Sequence, residues 1–236
     1  MLEWFFFLVE HDRVRVWHFA PPCRTFSLAF QPRVRSRQLP WGIDPASEAL
    51  QIGNVLMSRC LAVMKAILVR GRRTASLEAP RHAYTWFLPL LRAWVAGGQM
   101  ELVDFDACPF LWADLTGAQQ RRCTSAEGAK EMKLYLKPFR LGVIGPNYLS
   151  PLHSRRCYGG HAHFTLVGGA RTKASAQYPA RLAKEWASLL KGFCEQGSAP
   201  LASSDLAEVQ ERGRPAFESL PLNQLLRGAR FRELFE

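Results

Sequence analysis

The chain has 236 residues, 48% of them hydrophobic and 22% charged, and a formal net charge of +11. That composition excludes a disordered or collagen-like polymer and supplies enough apolar chain for one sizeable core. The charge favours polyanionic partners, nucleic acid before an anionic membrane surface.

The first residues, MLEWFFFLVE, form an apolar run that is broken by Glu10, His11, Asp12 and Arg13. It is too short to span a bilayer, and no small-residue cleavage site follows, so neither a membrane span nor a signal peptide is expected. An apolar run leading straight into a strand implies a chain that begins mid-domain, an N-terminally truncated sheet. Val14–Phe19 alternates as a strand and stops at Ala20-Pro21-Pro22-Cys23. Residues 28–45 are basic and Pro-containing and read as an exposed loop. Pro45–Val69 carries Leu50, Val55, Leu56, Leu61, Met64 and Leu68 at helical spacing, ended by Arg70-Gly71-Arg72-Arg73.

Thr74–Glu78 reads as a short strand stopped by Ala79-Pro80, and Tyr84–Trp94 as a helix closed by Gly97-Gly98. Strands are expected at Met100–Phe105, Lys133–Val143 and Gly160–Leu166, with a polar inserted loop over 113–131. Tyr178–Phe193 has the pattern of an amphipathic helix. The division this implies is one α/β domain over residues 1–193. A mobile tail over 194–236 follows, with a short helical piece at Leu220–Leu234. Strand–helix alternation of this kind belongs to parallel sheets, whose chemistry collects in the loops at the C-terminal strand ends.

Two such loops carry unusual residues: Pro21-Pro22-Cys23-Arg24-Thr25-Phe26-Ser27, and Leu77-Glu78-Ala79-Pro80. A strand ending in Pro-Cys and followed by Phe-Ser resembles the nucleophile loop of the DNA cytosine-5 methyltransferases. After a long helix, that family has a second strand ending in a glutamate loop. Val103-Asp104-Phe105-Asp106-Ala107-Cys108-Pro109-Phe110 is similar to a downstream segment of a looser group with the same two loops. The resemblance covers roughly residues 12–190. It implies a three-layer, Rossmann-like methyltransferase sheet and methyl transfer from S-adenosylmethionine to cytosine in DNA. Cys23 would add to C6 of the ring as a thiolate, and Glu78 would hold the N3 and N4 edge of the extruded base.

The sequence departs from that pattern at Arg24, where the family has Gln, and at Ala79, where it has Asn. The glycine-rich loop for the methyl donor is missing, so the resemblance implies a chain inactive alone or completed by a partner chain. Arg24 and Ser27 in the loop, Arg33, Arg35 and Arg37 beyond it, and Lys137 and Arg140 downstream are the expected contacts to DNA, or to RNA. A non-catalytic, basic nucleic-acid-binding remnant, of the kind a mobile element carries, is the alternative. The six cysteines are scattered with no CxxC pair, which points to a reducing, intracellular compartment, the nucleus if the DNA reading holds. Cys108, Cys157, His161 and His163 are a donor set that zinc accepts. Their spacing is not that of a common finger, and a histidine-bearing strand at a polar rim is the simpler reading, with no metal.

Overall fold

The computed structural model describes residues 2–44, 47–71, 73–110, 133–164 and 178–196. The expected loop over 113–131, the end of the strand expected at Gly160–Leu166, and the tail piece at Leu220–Leu234 lie outside these residues. In chain order the elements are α1 (Leu2–Glu10), β1 (Val16–Phe19), α2 (Glu48–Arg70), β2 (Thr74–Pro80), α3 (Pro89–Ala96), β3 (Met100–Asp106), β4 (Lys133–Tyr135), β5 (Pro138–Ile144), β6 (Ala162–Phe164) and α4 (Ala180–Gln196). The fold is mixed α/β. Four strands form a sheet in the order β1-β2-β5-β3, and β4 and β6 form a separate parallel pair. By contacts the described residues divide into two compact units, one of Met1–Leu102 with Leu141–Asn147, the other of Val103–Arg140 with Tyr148–Ala199.

In the first unit, β1 and β2 are parallel, in the register Val16↔Thr74 through Phe19↔Leu77. Parallel neighbours need a long crossover, and α2 provides it. Glu48 in its first turn and Arg70 in its last both complement the helix dipole. Gly71 ends it in the left-handed conformation at φ +69°, its amide donating to the Ile67 carbonyl. By length and composition α2 could cross a membrane, but its Met57, Leu61, Val63, Met64 and Ile67 are buried in a core shared with Trp17, Ala75, Leu77 and Trp94. That packing accounts for its apolar character.

Three expectations need correction. The N-terminal run is a helix, not a lead-in to a strand. Leu2, Phe5, Leu8 and Val9 recur at helical spacing and pack toward the core, while Trp4 and Phe7 stack on each other outside at 5.3 Å. The Arg13 amide donates back to the Leu8 carbonyl, and Asp12 takes φ +55°, which turns the chain into β1. The expected helix over Tyr84–Trp94 is instead a 3-10 turn at Tyr84–Phe87 followed by α3, because Pro89 holds Leu88 extended at ψ 129°. The expected strand Lys133–Val143 is broken before Pro138 into β4 and β5, which belong to different sheets.

Gly145 is needed where it stands. Its φ is +75°, and a Cβ there would sit 2.0 Å from the Arg73 carbonyl oxygen. Arg73 is itself buried, donates to the Val9 carbonyl at 2.9 Å and pairs with Asp12.

The second unit is held by aromatic stacking. Phe105 lies parallel to Phe139 at 5.1 Å and meets Phe110 edge-on at 6.0 Å. Tyr178 and Trp186, which bring in α4, continue the row from Phe139. Pairs of this geometry contribute about 0.5–1.5 kcal/mol each beyond their buried area.

Candidate functional site

Side chains alternate across a strand, so β1 and β2 present two different faces. Trp17, Phe19, Ala75, Leu77 and Ala79 face the core. His18, Ser76 and Glu78 fall on the opposite face, where the His18 ring nitrogen Nδ1 meets Ser76 Oγ at 2.9 Å. Glu78 is half-buried and stands one residue beyond the Phe19↔Leu77 pair, at the C-terminal end of the parallel ladder.

The loop that follows β1 leaves the same end. Cys23 is half-buried and takes part in no disulfide. Its carbonyl accepts the Phe26 and Ser27 amides at 3.0 and 2.9 Å, which winds the loop into a single turn. Phe26 is fully buried, and its carbonyl accepts the Tyr84 amide at 2.8 Å. The cysteine loop is thereby tied to the segment that follows β2. That loop stands at a strand end where α/β sheets carry their chemistry, while Glu78 lies within β2, near its end at Pro80.

Of the expected nucleic-acid contacts in this unit, Arg24, Arg33 and Arg37 are exposed. Arg24 lies over the Phe30 ring at 5.5 Å, and Arg37 over Phe87 at 5.2 Å. Ser27 closes its own turn, accepting the Ala29 amide at 3.2 Å. Arg35 is a correction: only 1% of it is exposed. Its guanidinium sits 3.7 Å from the Phe26 ring centre and donates to the Pro40 carbonyl, Asn54 Oδ1 and Thr25 Oγ1. Gly53 on α2 makes room for it, since a Cβ there would lie 2.9 Å from Thr25 Oγ1 and 3.2 Å from Arg35 Nη2. Arg35 therefore braces the basic loop from inside, and the loop is folded over it rather than splayed into solvent.

Sequence reasoning missed a groove beside this loop. It has a volume of about 820 Å³ and is lined by Arg37, Trp86, Phe87, Pro89 and Arg92 among others. Trp86 is half-buried and packs against the core, its indole N–H donating to the Pro80 carbonyl at 2.9 Å. The signal that could have found the groove is the adjacent Trp86-Phe87 pair, with Arg92 on the following helix.

In the second unit, Arg140 forms a two-pronged pair with Asp104, Nε to Oδ1 at 2.7 Å and Nη2 to Oδ2 at 2.9 Å. Its charge is matched within the protein by that carboxylate. Lys137 places its ammonium 4.7 Å from the Phe139 ring centre.

Four expected donors in this unit are brought together. The Sγ atoms of Cys108 and Cys157 and ring nitrogens of His161 and His163 all lie within 4.8 Å of one another. Cys157 Sγ is 3.8 Å from His161 Nε2 and 3.5 Å from His163 Nε2, and the two Nε2 atoms are 2.9 Å apart. Burial, reinforced by the Cys157 thiol and the Asp106 carboxylate, pushes the Cys108 thiol up to about 12. Burial and the neighbouring His161 push His163 down.

Compared with protein-family models, curated proteins and solved structures, the chain matches none.

Proposed function

We propose that the chain is a cytosine-5 methyltransferase-like, nucleic-acid-binding α/β domain whose Cys23 and Glu78 loops receive an extruded cytosine. The observation that carries this reading is the placement of Cys23 and Glu78 at the same end of two adjacent parallel strands, with their loops joined through the Tyr84-to-Phe26 hydrogen bond.

The chemistry follows from the two side chains. The Cys23 thiolate adds to C6 of cytosine, and the electron pair moves into the ring toward N3, where Glu78 stabilises it by hydrogen bonding. The resulting enamine is nucleophilic at C5. The methyl donor does not fit the residues present. Residues 1–41 hold no glycine, and the turn from α1 into β1 therefore does not offer the glycine-bearing cradle a methionyl group needs. A partner chain is the proposed source of the donor. The exposed Arg24, Arg33 and Arg37, with the Trp86–Phe87 groove and Arg92, supply phosphate contacts and stacking surfaces for DNA or RNA. The scattered cysteines fit a reducing compartment, and the nucleus if DNA is the substrate.

One test needs no donor. Addition at C6 followed by a solvent proton at C5 and reversal exchanges the C5 hydrogen. An oligonucleotide carrying [5-³H]cytosine should therefore release tritium with the wild-type chain and not with Cys23→Ser. If the chain binds the oligonucleotide but exchanges nothing, the nucleophile assignment is wrong. The second reading then stands, favoured by the aromatic, basic groove: a non-catalytic nucleic-acid-binding domain. Its affinity would fall steeply with salt and be indifferent to Cys23.

A further inference from the structure

We propose that Cys108, Cys157, His161 and His163 form a tetrahedral, structural zinc site that fastens the segment after β3 to the loop entering β6. The inference is independent of the cytosine chemistry and stands on the geometry of the cluster. Zinc–sulfur and zinc–nitrogen bonds of about 2.3 and 2.0–2.1 Å give tetrahedral edges of about 3.6 Å between sulfur and nitrogen and about 3.3 Å between nitrogens. The two sulfur–nitrogen distances from Cys157, 3.8 and 3.5 Å, bracket that edge. The two imidazole nitrogens, 2.9 Å apart, need to open only slightly.

Each donor is delivered by a defined piece of backbone. Cys108 opens a 3-10 turn, Cys108–Phe110, directly after β3. Cys157 is held by its own amide, which donates to Asp106 Oδ2 at 3.0 Å, and that carboxylate also faces Arg156 Nε at 3.6 Å. Gly159 and Gly160, at φ +79° and +77°, turn the chain back between Cys157 and His161. His161 and His163 flank Ala162 at the start of β6, so the strand's alternation sends both rings to one side. The Leu134↔His163 pairing with β4 fixes the second of them.

The donor set identifies the ion. Two thiolates and two imidazoles without an oxygen ligand exclude calcium and magnesium and suit zinc. Four protein ligands close the tetrahedron and leave no position for a substrate, which makes the site structural rather than catalytic. The cross-link spans the stretch between Cys108 and Cys157 and ties the end of a sheet strand to the smaller strand pair.

The test uses the full chain, purified under reducing conditions. Elemental analysis should give one zinc per chain. Cobalt(II) in its place should give the strong red-region absorption of a tetrahedral ion, with thiolate-to-cobalt charge transfer in the near ultraviolet. His163→Ala and Cys157→Ala should lose the stoichiometric metal. His161→Cys should keep the tetrahedral bands and raise the charge-transfer intensity in proportion to its added thiolate, a readout that survives if the alanine variants fail to fold. A folded chain that retains no zinc, or a weak octahedral cobalt spectrum, overturns the proposal. So does a Cys108–Cys157 disulfide that forms in place of metal when zinc is supplied.

Discussion

Replacing Arg35 by alanine tests whether the basic loop is built around a buried cation. The guanidinium makes three hydrogen bonds, to the Pro40 carbonyl, Asn54 Oδ1 and Thr25 Oγ1. With a charged donor each contributes about 1.5–3 kcal/mol. Its approach to the Phe26 ring, 3.7 Å to the centre, adds about 2 kcal/mol in a desolvated setting. Against this stands the cost of burying the charge, which pushes the guanidinium down to about 10, about 3 kcal/mol. The balance is a loss of about 3.5–8 kcal/mol on Arg35→Ala, or roughly 7–32 °C in Tm for a chain of this size. Thermal and urea unfolding followed by tryptophan fluorescence would read it. Arg35→Met, which keeps a flexible stem against Phe26 but leaves the three acceptors unpartnered, should fall between wild type and alanine. Arg37→Ala, at an exposed position, should change stability by less than ~0.5 kcal/mol while weakening oligonucleotide binding. If Arg35→Ala instead matched wild-type stability within ~0.5 kcal/mol and lost oligonucleotide affinity, the buried-brace account would be refuted and Arg35 would face a ligand.

Gly145→Ala should destabilise by more than ~2 kcal/mol in the same unfolding assay, because its Cβ would meet the Arg73 carbonyl oxygen at 2.0 Å in a left-handed conformation. Burial pushes the Cys60 thiol up to about 11. At pH 8 its alkylation, mapped by mass spectrometry, should run about 100-fold or more slower than that of the exposed Cys194. The Cys60 rate should climb about tenfold per pH unit until the thiol titrates. Asp104→Ala should cost about 1–3 kcal/mol by stranding the half-buried Arg140, whose two bonds to that carboxylate are 2.7 and 2.9 Å. Chelation of zinc should lower the unfolding midpoint of the reduced wild type and leave His163→Ala unmoved, since only a chain that holds the metal gains from mass action.

Local pattern in the sequence determined the elements with strong periodicity. α2, β2, β3 and α4 stand within a few residues of where apolar spacing, Gly71 and the proline signals put them, because those signals act over one or two helical turns. The order of Cys23 and Glu78 along the chain is a matter of sequence, and parallel β1–β2 pairing sets both toward one end of the ladder. Tertiary structure decided what each charge does. Arg35 and Arg37 are two residues apart in one basic stretch, yet Arg35 lies inside with both terminal nitrogens hydrogen-bonded and Arg37 is exposed beside Phe87. Arg140 stands in a basic stretch of the sequence, and only the fold sets it against Asp104, 36 residues earlier. Cys108 and Cys157 likewise converge across a long stretch of chain, a proximity that no spacing rule for short motifs encodes. Hydrogen bonds, ion pairs and metal geometry depend on distance in space, and only the folding of β3, β6 and their loops brings those atoms within reach.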